Sequence, residues 1–490
     1  LDQTGAPIDT VFVWWSTDED VVQVNQDGVA LATGLGTAMV IATAGAAADT
    51  AEVTVTLGGS PVIEWIAGGS GDWGEASNWS GGKVPGEGDA AVIGEDGSYT
   101  VTLGGDVTVT ALVLGGGNGV QTLATGGSRL TMTSGGLLPG GVLAVDGIAD
   151  ILGEFVLAGG DLQGVGRVDV SGGSELDVIG NPVNLKVDLE NRGTILSHPG
   201  SSLRVEAGLA NTTGGLFELM GDAFVTVQRG GQLTNVGTIL KSTGVEEASF
   251  VVSTTDDNEF TSTGTIRIEK GALGISGGTI QSRVAIEAGA ALRQSGSTFV
   301  PSINSQGDGD FVVGGRLEVG TYAGQIVNIQ NLVLDSWHSP SLSGEASLLV
   351  NETFVWRRGT IAGPGSFNTQ IGSRTIFESR DSKILTGTNW RITGSVEADT
   401  DLELSLREDA AVIVDPNGTW IQAGGGSVTQ FTGSTTSFQL QGLFTKTGEG
   451  NFRVGSEFVC DGRLDLREGT FIASGDFLLR DTGVITGGGR

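Results

Sequence analysis

A glycine followed by a short alternating strand recurs along this chain, and this repeat constrains the fold more than any other feature. Successive glycines are 22, 22 and 27 residues apart in the middle of the chain and 20 and 21 apart near its end. A near-constant period of this size is typical of stacked coils, in which each repeat packs only on its neighbours. The repeat therefore predicts a β-solenoid. The glycines concerned are Gly193, Gly215, Gly237, Gly264, Gly442, Gly462 and Gly483.

Within each repeat, the second and usually the fourth residue after the glycine are apolar. After Gly264 these are Ile266 and Ile268, and a charged residue, Arg267, stands between them. Successive side chains of a strand point to opposite faces. We therefore expect the isoleucines to point into the solenoid and Arg267 to point outward. Lys241 stands at an expected inward position and departs from the pattern.

Composition supports an all-β chain with an acidic surface. The sequence contains 84 glycines, which disfavour helix interiors, and only one cysteine, which excludes an internal disulfide. The formal net charge of −31 would repel nucleic acid, anionic membranes and polyanionic glycans at long range. No apolar run approaches the ~20 residues of a membrane helix. These features predict an acidic extracellular protein with no nucleic-acid partner and no membrane insertion.

Residues 1–57 differ from the rest of the chain and read as short strands separated by turns. The motifs Trp15-Ser16-Thr17-Asp18, Val22-Gln23-Val24 and Gly36-Thr37-Ala38 resemble the bacterial Ig-like domain of group 2. This resemblance implies a small N-terminal Ig-like β-sandwich, here without that family's first strands. Two explanations are open: the chain begins inside a longer protein, or another copy supplies the missing strand and builds a filament.

Residues 58–95 are rich in tryptophan and glycine and are expected to form a linker and a solenoid cap. Trp65, Trp73 and Trp79 would cover the apolar end of the first coil, with a sugar-stacking platform as the alternative. From 96 to 490 the repeat dominates, and its segment from Gly442 to Gly483 resembles right-handed parallel β-helix surface proteins. The expected fold class is an all-β, right-handed parallel β-helix of about 18–19 coils with the Ig-like β-sandwich before it.

No residue is predicted to be catalytic. Acidic clusters are expected by chance in a chain with 57 Asp and Glu, and the single adjacent basic pair is Arg357-Arg358. The two histidines, His198 and His338, have no zinc-like spacing, and no Gly-x-Ser-x-Gly elbow accompanies them. Right-handed β-helices nevertheless include polysaccharide enzymes, so a polysaccharide hydrolase or lyase is the main alternative function.

Structural calcium is the only ion that the sequence suggests, because several turns carry clustered oxygen ligands. The strongest cluster lies where the repeat interval swells to 27 residues between Gly237 and Gly264. Solvated turn carboxylates that bind no ion are the alternative. The candidate calcium ligands are Asp256, Asp257, Glu259, Asp308 and Asp310.

Four tryptophans of the second half form a candidate carbohydrate-binding set. Trp337, Trp356, Trp390 and Trp420 are 19, 34 and 30 residues apart, so some could occupy similar places on neighbouring coils. Exposed indoles in such a row would stack on sugar rings. Inward-facing tryptophans that fill a wide coil are the alternative, and the sequence favours it.

Together these features favour a non-enzymatic, secreted or cell-surface bacterial protein that serves as a scaffold or adhesin. Its outward residues would make weak repeated contacts with glycans or other surface proteins. A carbohydrate-active β-helix enzyme and a filament subunit joined through the incomplete Ig-like sheet are the alternatives. We also expect the chain to be part of a larger protein.

Overall fold

The computed structural model describes residues 12–19, 21–26, 28, 30–45, 47–57, 59–253, 257–320, 322, 324–363, 365–399 and 401–490. These residues are almost entirely β-structure, and the helical exceptions are two single 3-10 turns at Ala76–Asn78 and Ser80–Gly82. No helix in them is long and apolar enough to cross a bilayer. The chain divides into two compact units, Leu1–Leu216 and Phe217–Arg490.

Strands are numbered in chain order. In the first unit, β1–β21 span Val13–Ser16, Val22–Val24, Ala30–Ala32, Gly36–Ala44, Ala47–Val55, Val62–Glu64, Gly71–Asp72, Ala90–Ile93, Tyr99–Thr102, Val107–Leu114, Gln121–Ala124, Arg129–Leu138, Val142–Ala144, Ile148–Ile151, Glu154–Leu157, Asp161–Val170, Glu175–Val178, Val183–Asn191, Thr194–Ser197, Ser202–Val205 and Gly208–Asn211.

The remaining strands, β22–β54, span Leu216–Met220, Phe224–Val227, Gln232–Asn235, Thr238–Thr243, Glu247–Val252, Glu259–Ser262, Thr265–Ile268, Ala272–Ile280, Arg283–Ile286, Ala291–Val300, Asn304–Gln306, Asp310–Val313, Arg316–Val319, Ile326–Asp335, Leu342–Ser343, Ser347–Ala362, Ser366–Thr369, Arg374–Phe377, Lys383–Thr386, Asn389–Ile392, Ser395–Ala398, Leu402–Arg407, Ala411–Val414, Thr419–Gln422, Gly426–Gln430, Ser437–Leu440, Leu443–Lys446, Asn451–Val454, Glu457–Cys460, Arg463–Leu466, Thr470–Ala473, Phe477–Leu479 and Val484–Gly487.

The first unit opens with a small antiparallel module. Strands β1, β4 and β5 form one sheet, and β2 and β3 form a separate hairpin. The buried core contains Val22 and Val40, and Trp14 packs against it. Gly28 has a φ of +81°, and a Cβ there would lie 2.8 Å from the Trp14 indole, so only glycine fits this turn. The described part of the module is thus a three-stranded sheet with a hairpin.

The rest of the first unit is a parallel β-solenoid whose ladders begin at β6. Val62 of β6 lies opposite Ala90 of β8, inside the segment that the sequence suggests is linker and cap. Three buried tryptophans of this segment pack edge to face, with ring centroids of Trp65 and Trp79 5.0 Å apart and those of Trp73 and Trp79 4.7 Å apart. The Trp79 indole also donates a 2.7 Å hydrogen bond to the Trp73 carbonyl.

An apolar row on the outer face of this solenoid contacts the N-terminal module. Val113, Leu137 and Val156 lie opposite one another on successive coils and are buried in a cluster of their own. Val156 stands between two fully inward residues of β15, so the alternation of the strand places it on the outside. Leu35 and Leu57 of the N-terminal module pack against this row. We call these three residues the outer stripe.

The second unit is also a parallel β-solenoid, so the all-β parallel β-solenoid predicted for the repeat region is confirmed. Strand β25 pairs in parallel with β28, and Ile239 lies opposite Ile266. Ile266 and Ile268 are fully buried, whereas Arg267 between them is exposed. The alternation of the repeat therefore sorts side chains between core and solvent as the sequence predicts.

The repeat glycines are explained by the close approach of neighbouring coils. A Cβ on Gly264 would lie 2.1 Å from the carbonyl oxygen of Gly237, and one on Gly462 would lie 2.2 Å from that of Gly442. Neither glycine has the positive φ that usually selects this residue. A side chain is excluded here because the corner of one coil rests directly on the backbone of the coil before it.

Buried lysines occupy inward corner positions in this unit, which accounts for Lys241. Its side chain is buried, and its ammonium group donates a hydrogen bond to the carbonyl oxygen of Thr243. Lys383 is buried in the same way, and its Nζ lies 2.7 Å from Ser379 O and 2.9 Å from Asp381 O. Desolvation lowers the pKa values of both lysines. Carbonyl groups of the turns thus hold charged groups that the core would otherwise exclude.

We expect Gly462→Ala to destabilise the protein by about 1–3 kcal/mol, because the new methyl group overlaps the Gly442 backbone. The matched control is Gly105→Ala, where a Cβ would meet nothing within 4 Å. This control should change stability by less than about 0.5 kcal/mol. Urea unfolding of the two variants measures the difference, and equal effects would contradict the packing role of Gly462.

Lys383 should make stability depend on alkaline pH. Desolvation lowers its pKa from 10.5 to about 8, so between these values the unfolded chain binds the proton that the folded protein has lost. Stability then rises with pH across this window. Relative to Lys383→Met, the wild type should gain stability from about pH 8 to about pH 10.5. Exposed Lys270→Met is the control, and an identical pH dependence in all three proteins would refute the assignment.

Candidate functional site

Three of the four tryptophans proposed as a carbohydrate-binding set lie in the core. Trp356, Trp390 and Trp420 are each 0% exposed. Their rings form a continuous column, with centroids 5.8 Å apart between Trp356 and Trp390 and 6.0 Å apart between Trp390 and Trp420. The structure therefore contradicts a platform of four exposed indoles. These three rings fill the interior of a wide coil, which is the alternative that the sequence favours. They cannot contact a sugar from outside the solenoid.

Trp337 is the exception, because 78% of its surface is exposed. It follows β35 on a corner loop whose two flanking serines are buried. Ser336 Oγ donates a 2.7 Å hydrogen bond to Gly315 O. Ser341 Oγ donates to the carbonyl of His338 and accepts a 3.0 Å hydrogen bond from the Thr360 amide. The loop that carries the exposed indole is thus fixed at both ends.

A guanidinium group supports the indole. Arg358 Cζ lies 4.2 Å from the centroid of the Trp337 ring, within the range of a cation–π contact. Arg358 is itself held by carboxylates: its Nε lies 2.6 Å from Asp335 Oδ1 and its terminal nitrogen 3.5 Å from Asp381 Oδ2. The shorter contact is an ion pair without an aligned hydrogen bond. Trp337 thus has a fixed support for its ring.

The charges around Trp337 nearly balance. Arg357 joins the same network, with its Nε 2.9 Å from Glu378 Oε2 and another nitrogen 3.6 Å from Asp335 Oδ2. The hydrogen bond with Glu378 raises the pKa of Arg357. Two guanidinium groups therefore face three carboxylates, those of Asp335, Glu378 and Asp381. This surface has no surplus of positive charge with which to bind a polyanion.

An open groove adjoins the loop that carries Trp337. Its volume is about 440 Å³, and Pro340 of that loop forms part of its lining. Phe299, Arg316 and Glu318 also line it, so it offers one aromatic ring and two charged groups of opposite sign. The indole, the groove and the ion-pair network together form the candidate site, which we call the Trp337 site.

The proposed calcium ligands are not assembled into a metal centre in the described part of the chain. No group of three or more His, Cys, Asp or Glu side chains is arranged there to hold a metal ion. Asp256 lies outside the described residues. Glu259 accepts a 2.8 Å hydrogen bond from Thr261, and burial raises the pKa of Asp310. Asp257 and Asp308 are exposed. Calcium binding stays a prediction.

The edge of strand β1, where a foreign strand would have to add, carries a side-chain cap. The amide of Trp14 donates a 3.3 Å hydrogen bond to Gln26 Oε1, and Gln26 Nε2 donates a 3.0 Å bond to the Trp14 carbonyl. Val13 and Trp15 on the same strand remain partly exposed. A strand that joined this edge would have to displace Gln26.

Sequence reasoning missed the supporting residues of the Trp337 site and a second cluster of charged side chains. The support of Trp337 by Arg358 depends on register, because Asp335 lies opposite Arg358 only after a shift between Leu334 and Asp335. In the first unit, Asp177 and His198 form a buried pair 2.7 Å apart, whereas the sequence analysis assigns no partner to His198. The 21-residue interval between these two residues, close to one coil, is the signal that could have linked them.

Comparisons with known proteins add little about function. No protein-family model matches the chain, and no curated protein matches it. Among solved structures, it is similar to the "Crystal structure of TibC-catalyzed hyper-glycosylated TibA55-350 fragment", with 16% sequence identity and a TM-score of 0.23. The match covers 66% of this chain and 95% of that one. At this TM-score the likeness carries no argument, and the solenoid assignment rests on the parallel ladders.

The burial of the tryptophans predicts losses of stability of different size for two substitutions. Trp390→Ala should destabilise the protein by about 3–5 kcal/mol, because it opens a cavity in the aromatic column. Trp337→Ala should cost less than about 1 kcal/mol, since it removes one surface contact with Arg358. Urea unfolding of both variants measures the difference. A large loss for Trp337→Ala, or a small one for Trp390→Ala, would contradict the burial described above.

Proposed function

We propose that this protein is a non-enzymatic, extracellular or cell-surface scaffold that adheres to neutral glycans at the Trp337 site. The observation that carries the proposal is an indole that is 78% exposed on a loop fixed by buried serines. Tryptophan is enriched at binding interfaces, because its ring offers a large apolar area together with a polar N–H group. A preformed ring loses little conformational freedom when a ligand stacks on it.

The environment of Trp337 supports a sugar as the partner. Sugar rings have apolar faces that stack on indoles, and hydroxyl groups that exchange hydrogen bonds with charged side chains. The groove beside the loop offers both kinds of contact, since Phe299, Arg316 and Glu318 line it. The site is shallow and open, which suits weak and reversible contacts to a surface glycan.

Charge supports a neutral glycan over an anionic one. The formal net charge of the chain is −31, and the arginines near Trp337 are already paired with carboxylates. A uronate or sulfate group would therefore meet repulsion at long range and few free cations at the site.

The scaffold role rests on the parallel ladders within each unit. Main-chain hydrogen bonds join each coil to the next, so the corner loops project from a stiff base. In this proposal the N-terminal module is an Ig-like domain of group 2, whose Leu35 and Leu57 pack against the outer stripe. We do not assign strand addition to this module, because Gln26 caps the Trp14 edge.

Binding of neutral oligosaccharides tests the proposal. We expect the wild type to bind members of a neutral glycan array, and Trp337→Ala to lose that binding while Trp337→Phe retains part of it, because a phenyl ring still stacks. The fluorescence of Trp337 should also change when a glycan binds. This change is measured as the difference between the fluorescence responses of the wild type and of Trp337→Phe. Ile371→Ala is the matched control, since Ile371 is 67% exposed and lies outside the Trp337 site.

Two results would refute the proposal. One is the absence of binding to every neutral glycan on the array. The other is binding that Trp337→Ala leaves unchanged. Turnover of a bound polysaccharide would instead support the carbohydrate-active enzyme that the sequence leaves as the alternative.

A further inference from the structure

A buried carboxylate follows the outer stripe on the next coil of the first unit. Asp177 lies opposite Val156, so it is the next member of the same outward row, yet it is only 4% exposed. Its neighbours in the strand, Leu176 and Val178, point into the core. Asp177 is therefore an outward-facing acid that is shielded from water, in a position where the preceding coils carry apolar side chains.

Only one of the two oxygens of Asp177 has a hydrogen-bond partner. Its Oδ1 lies 2.7 Å from Nε2 of His198, and this contact is buried. Its Oδ2 is also buried but has no hydrogen-bond partner. A buried carboxylate oxygen without a donor is strongly unfavourable, so a hydrogen is required at this place.

Glu175 can supply that hydrogen. It stands two residues before Asp177 on β17, so the two side chains project from the same outward face of the strand, a separation that a glutamate side chain can span. Two ionised carboxylates have no proton to share, whereas a neutral carboxyl group is a donor. Glu154 lies opposite Glu175 one coil earlier, so a third carboxyl group adjoins the pair.

We propose that Glu175 is protonated in the folded protein and donates its hydrogen to Oδ2 of Asp177, while His198 donates to Oδ1. The proton comes from a hydronium ion of the solvent: one O–H bond of that ion breaks, the O–H bond of the Glu175 carboxyl group forms, and water is left. The unit Glu175–Asp177–His198 is then a proton-binding site at the end of the outer stripe. It has one negative charge from the two acids instead of two, and every buried oxygen of Asp177 has a donor.

Electrostatics agree with this geometry. Desolvation is the main cause that raises the pKa of Glu175, and the charges of Asp177 and Glu154 raise it further, whereas His198 lowers it. Desolvation and then the charge of Asp177 also raise the pKa of Glu154, and His198 again lowers it. When the folded pKa of a carboxyl group exceeds its unfolded value, the folded state binds more protons, and stability falls as pH rises through the folded pKa.

Carboxyl ¹³C NMR and urea unfolding test the proposal on the full chain. In spectra with ¹³C-labelled glutamate, the resonance that disappears in Glu175→Gln should titrate above the ordinary glutamate range. Glutamine keeps the shape of the neutral acid and can still donate to Asp177. The urea midpoint of Glu175→Gln should therefore match the wild type below the ordinary pKa of glutamate and exceed it progressively above that value, until Glu175 has ionised in the folded protein.

Two further variants distinguish the effect of the Glu175 proton on stability from the effect of side-chain packing. Glu175→Ala leaves Oδ2 of Asp177 without a donor, so its urea midpoint should lie below that of Glu175→Gln at every pH. Glu64→Gln, which removes an exposed carboxyl group on β6, is the control for a glutamate-to-glutamine change away from Asp177. A Glu175 resonance that titrates in the ordinary glutamate range would overturn the proposal. A constant difference between Glu175→Gln and wild type would overturn it too.

Discussion

The closeness of one coil to the next at the repeat glycines is the constraint on which the rest of the structure depends. At Gly264 and Gly462, a single added carbon would lie within 2.2 Å of a carbonyl oxygen of the preceding coil. This proximity lets the flanking strands form continuous parallel ladders, and it forces side chains to sort strictly between the two faces. The stiffness of the solenoid, the apolar composition of its interior and the positions of its corner loops all follow from this close stacking of coils.

Polar groups in the interior of the solenoid must have hydrogen-bond partners within the protein. An inward position must be apolar or must carry its own hydrogen-bond partners, because no water reaches it. Lys241 and Lys383 satisfy this rule through turn carbonyls. Asn235 satisfies it through a 2.9 Å hydrogen bond to Ser262 on the next coil. Outward-facing residues follow the same rule wherever other residues bury them. Asp177, an outward-facing but buried carboxylate that contacts His198, is the clearest example.

Much of the fold could be predicted from the sequence, because alternation and glycine spacing directly report the face on which a residue lies. Ile266 and Arg267 illustrate this success. The candidate site could be predicted only in part, since the sequence does not give the phase of each tryptophan within its coil. Trp337 falls on a corner loop and Trp356 falls in the core, although only 19 residues separate them. The register shift beside Asp335, which places Arg358 at the indole, leaves no periodic signal.

Site-resolved hydrogen exchange of corner amides tests the close stacking of coils most directly. The amide of Arg463 donates a 2.8 Å hydrogen bond to Gly442 O, and that of Val484 donates a 2.9 Å bond to Gly462 O. If the coils stack as described, these two amides exchange as slowly as the strand amides beside them, because all open together. Fast exchange at both corners beside protected strands would show that the coils do not rest on the repeat glycines.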